Sequence, residues 1–516
     1  MPDWTYQPLR GIAAALLGAD RSRRWALRAL ATVGSLPGGG FVVARAFGHR
    51  HPPSLLAGTV AGVPVRSRLG AVVPPRVARD AVRALPPLGA GLVEVAPVGE
   101  ADVPLVVKAA EGRRVPVVAR AEGPDVARML APYVDGFTTG ADPGVVRLTS
   151  PSVGPAVEAL ADPTAVVLAA PPVLVGSGPG WFARVAEAVT PTSAPPPVRK
   201  VGGDLRRWPA WWWAFLVGAG LVVAGVGAAL ITMGPVLLWY DRAFLGMGTE
   251  RLQAINRRLV GFLQHDRITM AGTMVAVGVL YAGLAMGGMR RGWPWAREAL
   301  TVSGWILFPA SLSSLRWGFV EPLHAAVVVV LFPMFVMAVR RRTAGPGWTA
   351  RPEGPRREWR AALLGQLLMV GTGAGLLVGG VAVSAVGVTD VFVRSDLEYL
   401  GTGPEALHAA GPGLLPFVAH DRAGFGGALT AAAVAITLVS AWGWRRGESW
   451  VWWSLALAAA AGFVPAVVVH GVIEYSDFGH LAPVFAGVGL TVTALILSRP
   501  YLCARPRKVR RPPDPP

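Results

Sequence analysis

The chain has 516 residues, of which 53% are hydrophobic and 16% charged, with a formal net charge of +18 and a mean hydropathy of +0.46. That balance excludes an ordinary soluble protein of this size, and several uncharged runs exceed the roughly 18 residues that a membrane-spanning helix needs. The basic residues sit between apolar runs, where they set membrane orientation, so no nucleic-acid partner is expected; the single cysteine, Cys503, excludes an intrachain disulfide and a cysteine zinc site.

Residues 1–198 mix short apolar runs with Pro, Gly and Arg. The first 20 residues lack a clean apolar core ending in a small-residue site, so no cleavable signal peptide is expected. A basic helical stretch is expected over 5–35, where Ile12, Leu16, Leu17, Trp25, Leu27 and Leu30 alternate with Arg21, Arg23, Arg24 and Arg28. It reads either as a helix lying on a membrane surface or as an ordinary domain helix. Segments 55–75, 88–98, 113–140 and 164–189 then alternate apolar β runs with helical stretches. That is the pattern of βα units.

Six stretches stand in a particular order: the helical region from Tyr6 to Leu30, VAGVPVRSRLGAV, Leu88-Gly-Ala-Gly-Leu-Val-Glu-Val-Ala-Pro-Val98, Val115-Pro-Val-Val-Ala-Arg120, Asp135-Gly-Phe-Thr-Thr-Gly140 and Gly178-Pro-Gly-Trp-Phe-Ala-Arg184. In that order they resemble the membrane-associated, quinone-linked class of dihydroorotate dehydrogenases, over about residues 5–190. The resemblance implies a TIM-barrel-like α/β domain with a helical extension and a short hairpin before the barrel. It also implies a truncated one, because a full barrel takes about 250 residues. Val77 stands where the family has its flavin-contacting lysine, in Val72-Val-Pro-Pro-Arg-Val77. The segment with the catalytic serine and the Gly-Gly phosphate loop have no counterpart. FMN is therefore not expected, no nucleophile–base pair replaces what is missing, and the domain reads as a non-catalytic relative.

PTSAPPPVRK, residues 191–200, is a Pro-rich linker with a basic end. After it the chain is expected to be an all-α polytopic membrane domain of eight helices. The spans fall near 211–238, 269–289, 298–316, 319–339, 361–388, 424–443, 450–471 and 480–498. Trp211, Trp212, Trp213, Trp293, Trp295, Trp450, Trp452 and Trp453 lie near span ends, as an interfacial belt would. The segments on one side carry 22 Lys and Arg and those on the other 8, which puts the N-terminal domain and the C-terminus in the cytoplasm of a cell membrane. The Ala/Gly/Pro/Arg bias reads as that of a high-GC bacterial genome.

The membrane half repeats itself at an interval of 155 residues. Over 241–270, twelve of thirty positions are identical, and "FLQHDR" at 262–267 returns as "FVAHDR" at 417–422. Asp241 falls on Asp396, and His265-Asp266-Arg267 on His420-Asp421-Arg422. After Phe308 the register shifts by one, so Glu321 and His324 fall on Asp477 and His480. The expected architecture is two parallel four-helix repeats, because an even number of spans per unit gives both copies one orientation. The expected divisions are 1–198 (α/β domain), 199–360 and 361–498 (repeats) and 499–516 (basic Pro-rich tail).

Each copy is expected to gather its own polar corner at the extracytoplasmic membrane edge: Asp241, His265, Asp266, Arg267, Glu321 and His324 in the first, and Asp396, His420, Asp421, Arg422, Asp477 and His480 in the second. Four readings stay open. The corners are structural, with helix-capping Asp and Arg–carboxylate pairs. They hold a metal on His265, His324, His420 and His480. They line a pocket for a small molecule or quinone head group. Or they ligate haem, which histidines at span ends disfavour. The functions that follow are small-molecule binding, transport or scaffolding, with a flavin/quinone oxidoreductase or an extracytoplasmic metal-binding protein as alternatives.

Overall fold

The computed structural model describes residues 2–47, 54–60, 62–190, 195–312, 318–341 and 354–504. The chain forms two compact units, one built from residues 1–193 with 347–364, the other from 194–346 with 365–504.

The first unit is α/β. Helices α1 (Arg10–Leu17), α2 (Ala19–Ser35) and α3 (Gly39–Phe47) precede a two-stranded antiparallel hairpin, β1 (Gly58–Val60) and β2 (Val63–Val65). Then come β3 (Leu69–Val73), α4 (Pro75–Ala84), β4 (Leu92–Val98), α5 (Val103–Ala110), β5 (Val117–Ala121), α6 (Pro124–Leu130), β6 (Gly136–Phe137), β7 (Val145–Leu148), α7 (Gly154–Ala159), β8 (Val166–Ala169), α8 (Pro171–Ser177) and α9 (Trp181–Val189). Helix α4 shows why the units form. Pro75 opens it at a position where a missing N–H costs nothing, and Ala78, Ala81 and Val82 make its buried face.

The six strands β3–β8 form one parallel sheet in the order β6-β5-β4-β3-β8-β7. The sheet curls into a half-barrel. The last strand pairs with the first, as in a closed barrel, and the open side lies between the consecutive strands β6 and β7. Alternate residues face opposite ways: Leu69, Ala71, Val93, Val95 and Val117 pack under the helices, while Val72, Leu92, Ala96, Val118 and Leu168 line the inner face with the hairpin valines Val60 and Val65.

Glu94 also points inward and is completely buried. It accepts hydrogen bonds from the Thr138 hydroxyl beyond β6 (2.8 Å) and from Arg147 Nε on β7 (2.9 Å). Arg147 in turn donates to the Thr139 carbonyl at 3.0 Å. This network ties the two edge strands together across the open side, where a full barrel would have further strands. In the N-terminal helical stretch, Leu27 and Leu30 pack on this core, while Ile12, Leu16 and Trp25 stay exposed.

The second unit is helical: α10 (Ala210–Met233), α11 (Trp239–Leu245), α12 (Thr249–Ile255), α13 (Leu259–Gly283), α14 (Pro294–Leu312), α15 (Pro322–Arg340), α16 (Arg356–Val388, which belongs to this unit from residue 365 on), α17 (Arg394–Leu400), α18 (Pro404–Ala410), α19 (Leu414–Gly443), α20 (Ser449–Val472) and α21 (Phe478–Leu502). Helix α13 runs on through a π-turn, Leu284–Gly288, and a 3-10 turn to Arg291. Among the described residues seven helices are long and apolar enough to cross a membrane: α10, α13 with its extension, α15, α16, α19, α20 and α21. Their outward side chains are apolar, for example Val223, Val329, Val378 and Ile496, as lipid contact requires. The protein is an integral membrane protein. The expected third span, 298–316, falls on α14, which carries Arg297 and Glu298 near its start and is not among the seven; residues 313–317 lie outside the described residues.

Two expected span starts move. The spans placed at 269 and 424 begin at Leu259 and Leu414. The His-Asp-Arg triads therefore lie well inside helices α13 and α19 rather than ahead of them, and are buried. Charges lower the local hydropathy and hide the helix start, but here they are compensated by partners that only folding supplies. Helices α10 and α13 approach closely through Gly218 and Gly278: a Cβ on Gly278 would stand 2.6 Å from the Gly218 carbonyl oxygen, the small-residue contact that membrane helices use.

Candidate functional site

The polar residues are positioned by two short helix pairs, α11–α12 and α17–α18. In each pair an aspartate caps its own helix start: the Leu238 amide donates to Asp241 and the Val393 amide to Asp396. Gly246 and Gly401 turn the chain between the paired helices at φ 67° and 64°. Tyr240, Leu245, Leu252, Tyr399, Leu400 and Leu407 of the two pairs share one apolar core with the starts of α13 and α19.

Beneath them the two triads clasp each other. Arg267 Nε donates to Asp421 Oδ2 at 2.8 Å, and Arg422 Nε to Asp266 Oδ2 at 3.0 Å. Each arginine also reaches the capping aspartate of its own copy, Arg267 to Asp241 and Arg422 to Asp396. Each donates as well to a carbonyl turned toward it, at Val236 (2.8 Å) and Val391 (2.9 Å). Both valines sit at positive φ, 60° and 67°, a strained setting for a β-branched residue that the surroundings must enforce. Phe417 lies under Arg267 at 4.8 Å and Phe262 under Arg422 at 5.1 Å, a cation–π contact in each case. This is why Phe-x-x-His-Asp-Arg is written twice. The phenylalanine and aspartate of each motif complete the arginine of the other, as in a self-complementary two-fold interface.

The corners are not assembled copy by copy, which corrects the expectation from sequence. His265 meets His470 and His480, and His420 meets Glu321 and His324. The first corner joins α13 to α20 and α21, and the second joins α19 to the start of α15; α13 packs along α20.

In the first corner His265 Nδ1 lies 2.8 Å from Asp266 Oδ1, and His265 Nε2 lies 3.0 Å from His470 Nε2. His470 Nδ1 lies 2.6 Å from the Ala466 carbonyl oxygen, and His480 Nδ1 3.5 Å from the Tyr475 hydroxyl. Tyr475 donates to Asp396 Oδ1 at 2.9 Å; burial raises its pKa, so it stays protonated as a donor. In the second corner His420 Nδ1 lies 3.1 Å from Asp421 Oδ1. Its Nε2 is buried with no hydrogen-bond partner among the described residues. The Tyr240 hydroxyl donates to Glu321 at 3.3 Å, and His324 Nδ1 stands 3.9 Å from that carboxylate. Burial, against the pull of Arg267, raises the Glu321 pKa.

Of the twelve expected residues, only Asp477 stands apart from both clusters. It is exposed and caps α21 by accepting from the His480 amide at 2.7 Å. Sequence reasoning missed His470, Tyr240 and Tyr475. His470 sits in an apolar run, and its counterpart in the first copy is Ser314, so the repeat does not mark it. The tyrosines trade places: Tyr240 and Phe319 in one copy correspond to Ser395 and Tyr475 in the other.

The first corner opens onto a cavity of about 600 Å³ between α13, α16, α19, α20 and α21. His265, Asp266, Arg422, His470 and His480 line its polar end, and most of the remaining wall is apolar, including Met369, Leu376, Phe425 and Phe463. Gly371, Gly375 and Gly379 line it along one face of α16, and a Cβ on any of them would meet nothing within 4 Å. Compared with known proteins, the chain matches no family model, no curated protein and no solved structure.

Proposed function

We propose that the membrane unit binds an apolar small molecule carrying a polar head group, of which a quinone is the leading class. The cavity carries this reading. Its volume lies in the range of small-molecule sites, which are mostly apolar with a few convergent polar groups. The apolar wall suits a tail drawn from the bilayer, and the imidazoles with Arg422 suit a carbonyl or hydroxyl head. The test is titration of the detergent-purified protein with a short-chain quinone, followed by tryptophan quenching. Gly375→Leu places a side chain in open space, so it is expected to weaken binding by at least about tenfold while leaving the melting temperature unchanged, since no packed atom is displaced. Unaltered affinity in that variant would place binding elsewhere.

The same reading takes α14 as an eighth span and the unit as two parallel four-helix repeats. The recurrence of the caps, the positive-φ valines and the clasped triads at one interval supports it. With eight spans and the Lys/Arg bias, both termini face the cytoplasm of a cell membrane. Cys503, just past α21, is the only thiol. On this topology a membrane-impermeant maleimide leaves it unlabelled in intact cells or spheroplasts and labels it after permeabilisation, at alkaline pH because burial raises the thiol pKa. Labelling from outside would reverse the orientation.

The first unit is read as a shortened relative of the quinone-linked dihydroorotate dehydrogenases. The helical extension, the hairpin and a parallel sheet whose last strand returns to its first support this. With Val77 at the lysine position and Glu94, Arg120 and Arg147 together on the inner face, we assign it no dihydroorotate chemistry and no FMN.

A further inference from the structure

We propose that His265, His470 and His480 form a binding site for a divalent transition-metal ion of the zinc type, at the polar end of the cavity. His470 reaches this site only through the fold.

The hydrogen-bond partners set the tautomers. The Ala466 carbonyl can only accept, so His470 Nδ1 carries the hydrogen and Nε2 presents a lone pair. Asp266 accepts from Arg422 through one oxygen and faces His265 Nδ1 with the other, so that nitrogen too carries the hydrogen. Two neutral imidazoles would then aim lone pairs at each other across 3.0 Å. Only a cation there relieves the repulsion. The surrounding charge asks for one as well. Asp241, Asp266, Asp396 and Asp421 are met by two guanidinium groups, those of Arg267 and Arg422, and uncompensated carboxylates in a membrane interior are costly.

A proton would satisfy the pair, but three features favour a metal. Zinc–nitrogen bonds of about 2.0–2.1 Å at tetrahedral angles separate ligand nitrogens by about 3.3–3.4 Å, close to the 3.0 Å between His265 and His470. A third imidazole converges, the three sets of ligand atoms lying within 4.8 Å of one another. His480 is half-buried, with its ring 5.8 Å from that of His265 and 5.2 Å from that of His470. Finally, each ring's other nitrogen faces an outer partner, which are Asp266, the Ala466 carbonyl and the Tyr475 hydroxyl. That is the outer-shell arrangement that orients metal-binding histidines. All three histidines line the cavity. The site does not depend on the ligand reading above.

The full chain in detergent, stripped with EDTA, is titrated with Zn²⁺ alone, with Co²⁺ as an optical reporter. We expect one zinc per chain at this corner and a tetrahedral Co²⁺ spectrum. His480→Ala, a change at a half-buried position outside the clasped triads, is expected to lower affinity by about 100-fold; His470→Ala should act alike. His324→Ala, in the other corner, should leave this site's zinc in place, as should Gly375→Leu, which separates this proposal from the small-molecule reading. No zinc uptake by the stripped protein would overturn it in favour of a shared proton. Uptake that survives the His470→Ala, His480→Ala pair, or that disappears in His324→Ala, would overturn it too.

Discussion

Replacing Arg267 by leucine is expected to destabilise the helical unit by about 3–5 kcal/mol, the loss that follows when one partner of a buried ion pair is removed and the other stays charged. Arg267 is 7% exposed, and Asp421 and Asp241 are 2% and 1% exposed. Neither carboxylate gains water when the guanidinium goes. A domain of this size loses about 2–4 °C of melting temperature per kcal/mol, so a fall on the order of 10 °C is expected in detergent. The second arm is the double variant Arg267→Leu, Asp421→Leu. A buried ion pair exchanged for packed apolar groups is often near neutral, so the double variant should regain at least half of the loss. Only Asp241 then lacks its arginine, and it still accepts from the Leu238 amide. A single variant that melts within about 1 °C of the parent would show that the clasp contributes little. A double variant no better than the single would show that Arg267 does not act through Asp421.

Glu94→Ala should be nearly as damaging to the α/β unit, again by about 3–5 kcal/mol. The carboxylate is completely buried and holds both edges of the half-barrel, through Thr138 beyond β6 and Arg147 on β7. Without it the Thr138 hydroxyl loses its acceptor and Arg147 keeps only Asp142, 3.1 Å away, and the loop carbonyls. Glu94→Gln retains an acceptor for Thr138 and should cost about half as much. Asp142 gives the network a pH dependence. Its slight burial acts to raise the carboxyl pKa, but hydrogen bonds from the Thr139 amide, Arg147 and the Thr139 hydroxyl outweigh it, and the pKa lies below the ordinary 3.8. A depressed folded-state value means the stabilisation is present above that ordinary value and fades as pH falls through the folded one. Acid unfolding of the parent should therefore include a component near and below pH 4 that Asp142→Asn removes. Melting curves of the isolated variants between neutral and acid pH measure both effects. Glu94→Ala with unchanged melting would mean that the edges are held without the network.

Much of the candidate site was legible because the relevant signals are local. His265-Asp266-Arg267 and His420-Asp421-Arg422 stand out as charges in an apolar chain, and their duplication shows as identities at one interval. The βα alternation was legible for the same reason: short apolar runs such as Leu69–Val73 and Val166–Ala169, bounded by turn residues, read as strands, and both are buried on both faces. Residues whose role depends on distant partners were not legible. His470 looks like a lone histidine near the end of a span until α20 brings it to His265. Asp477 matches Glu321 in register yet caps its own helix at the surface.

The sequence by itself determined that the chain is a membrane protein with an α/β domain before its spans, that Phe-x-x-His-Asp-Arg recurs at an interval of 155 residues, and which histidines, aspartates and arginines are out of place in an apolar setting. Hydropathy, periodicity and identity at a fixed interval are properties of neighbouring residues, so they survive without a fold. The tertiary structure decided that each arginine is completed by the other motif's aspartate and phenylalanine, that each corner joins helices far apart in the chain, and that the His265 corner opens onto an apolar cavity. Those choices depend on which helix packs against which. Residues about 155 apart in the chain meet only when that packing buries their charges against each other.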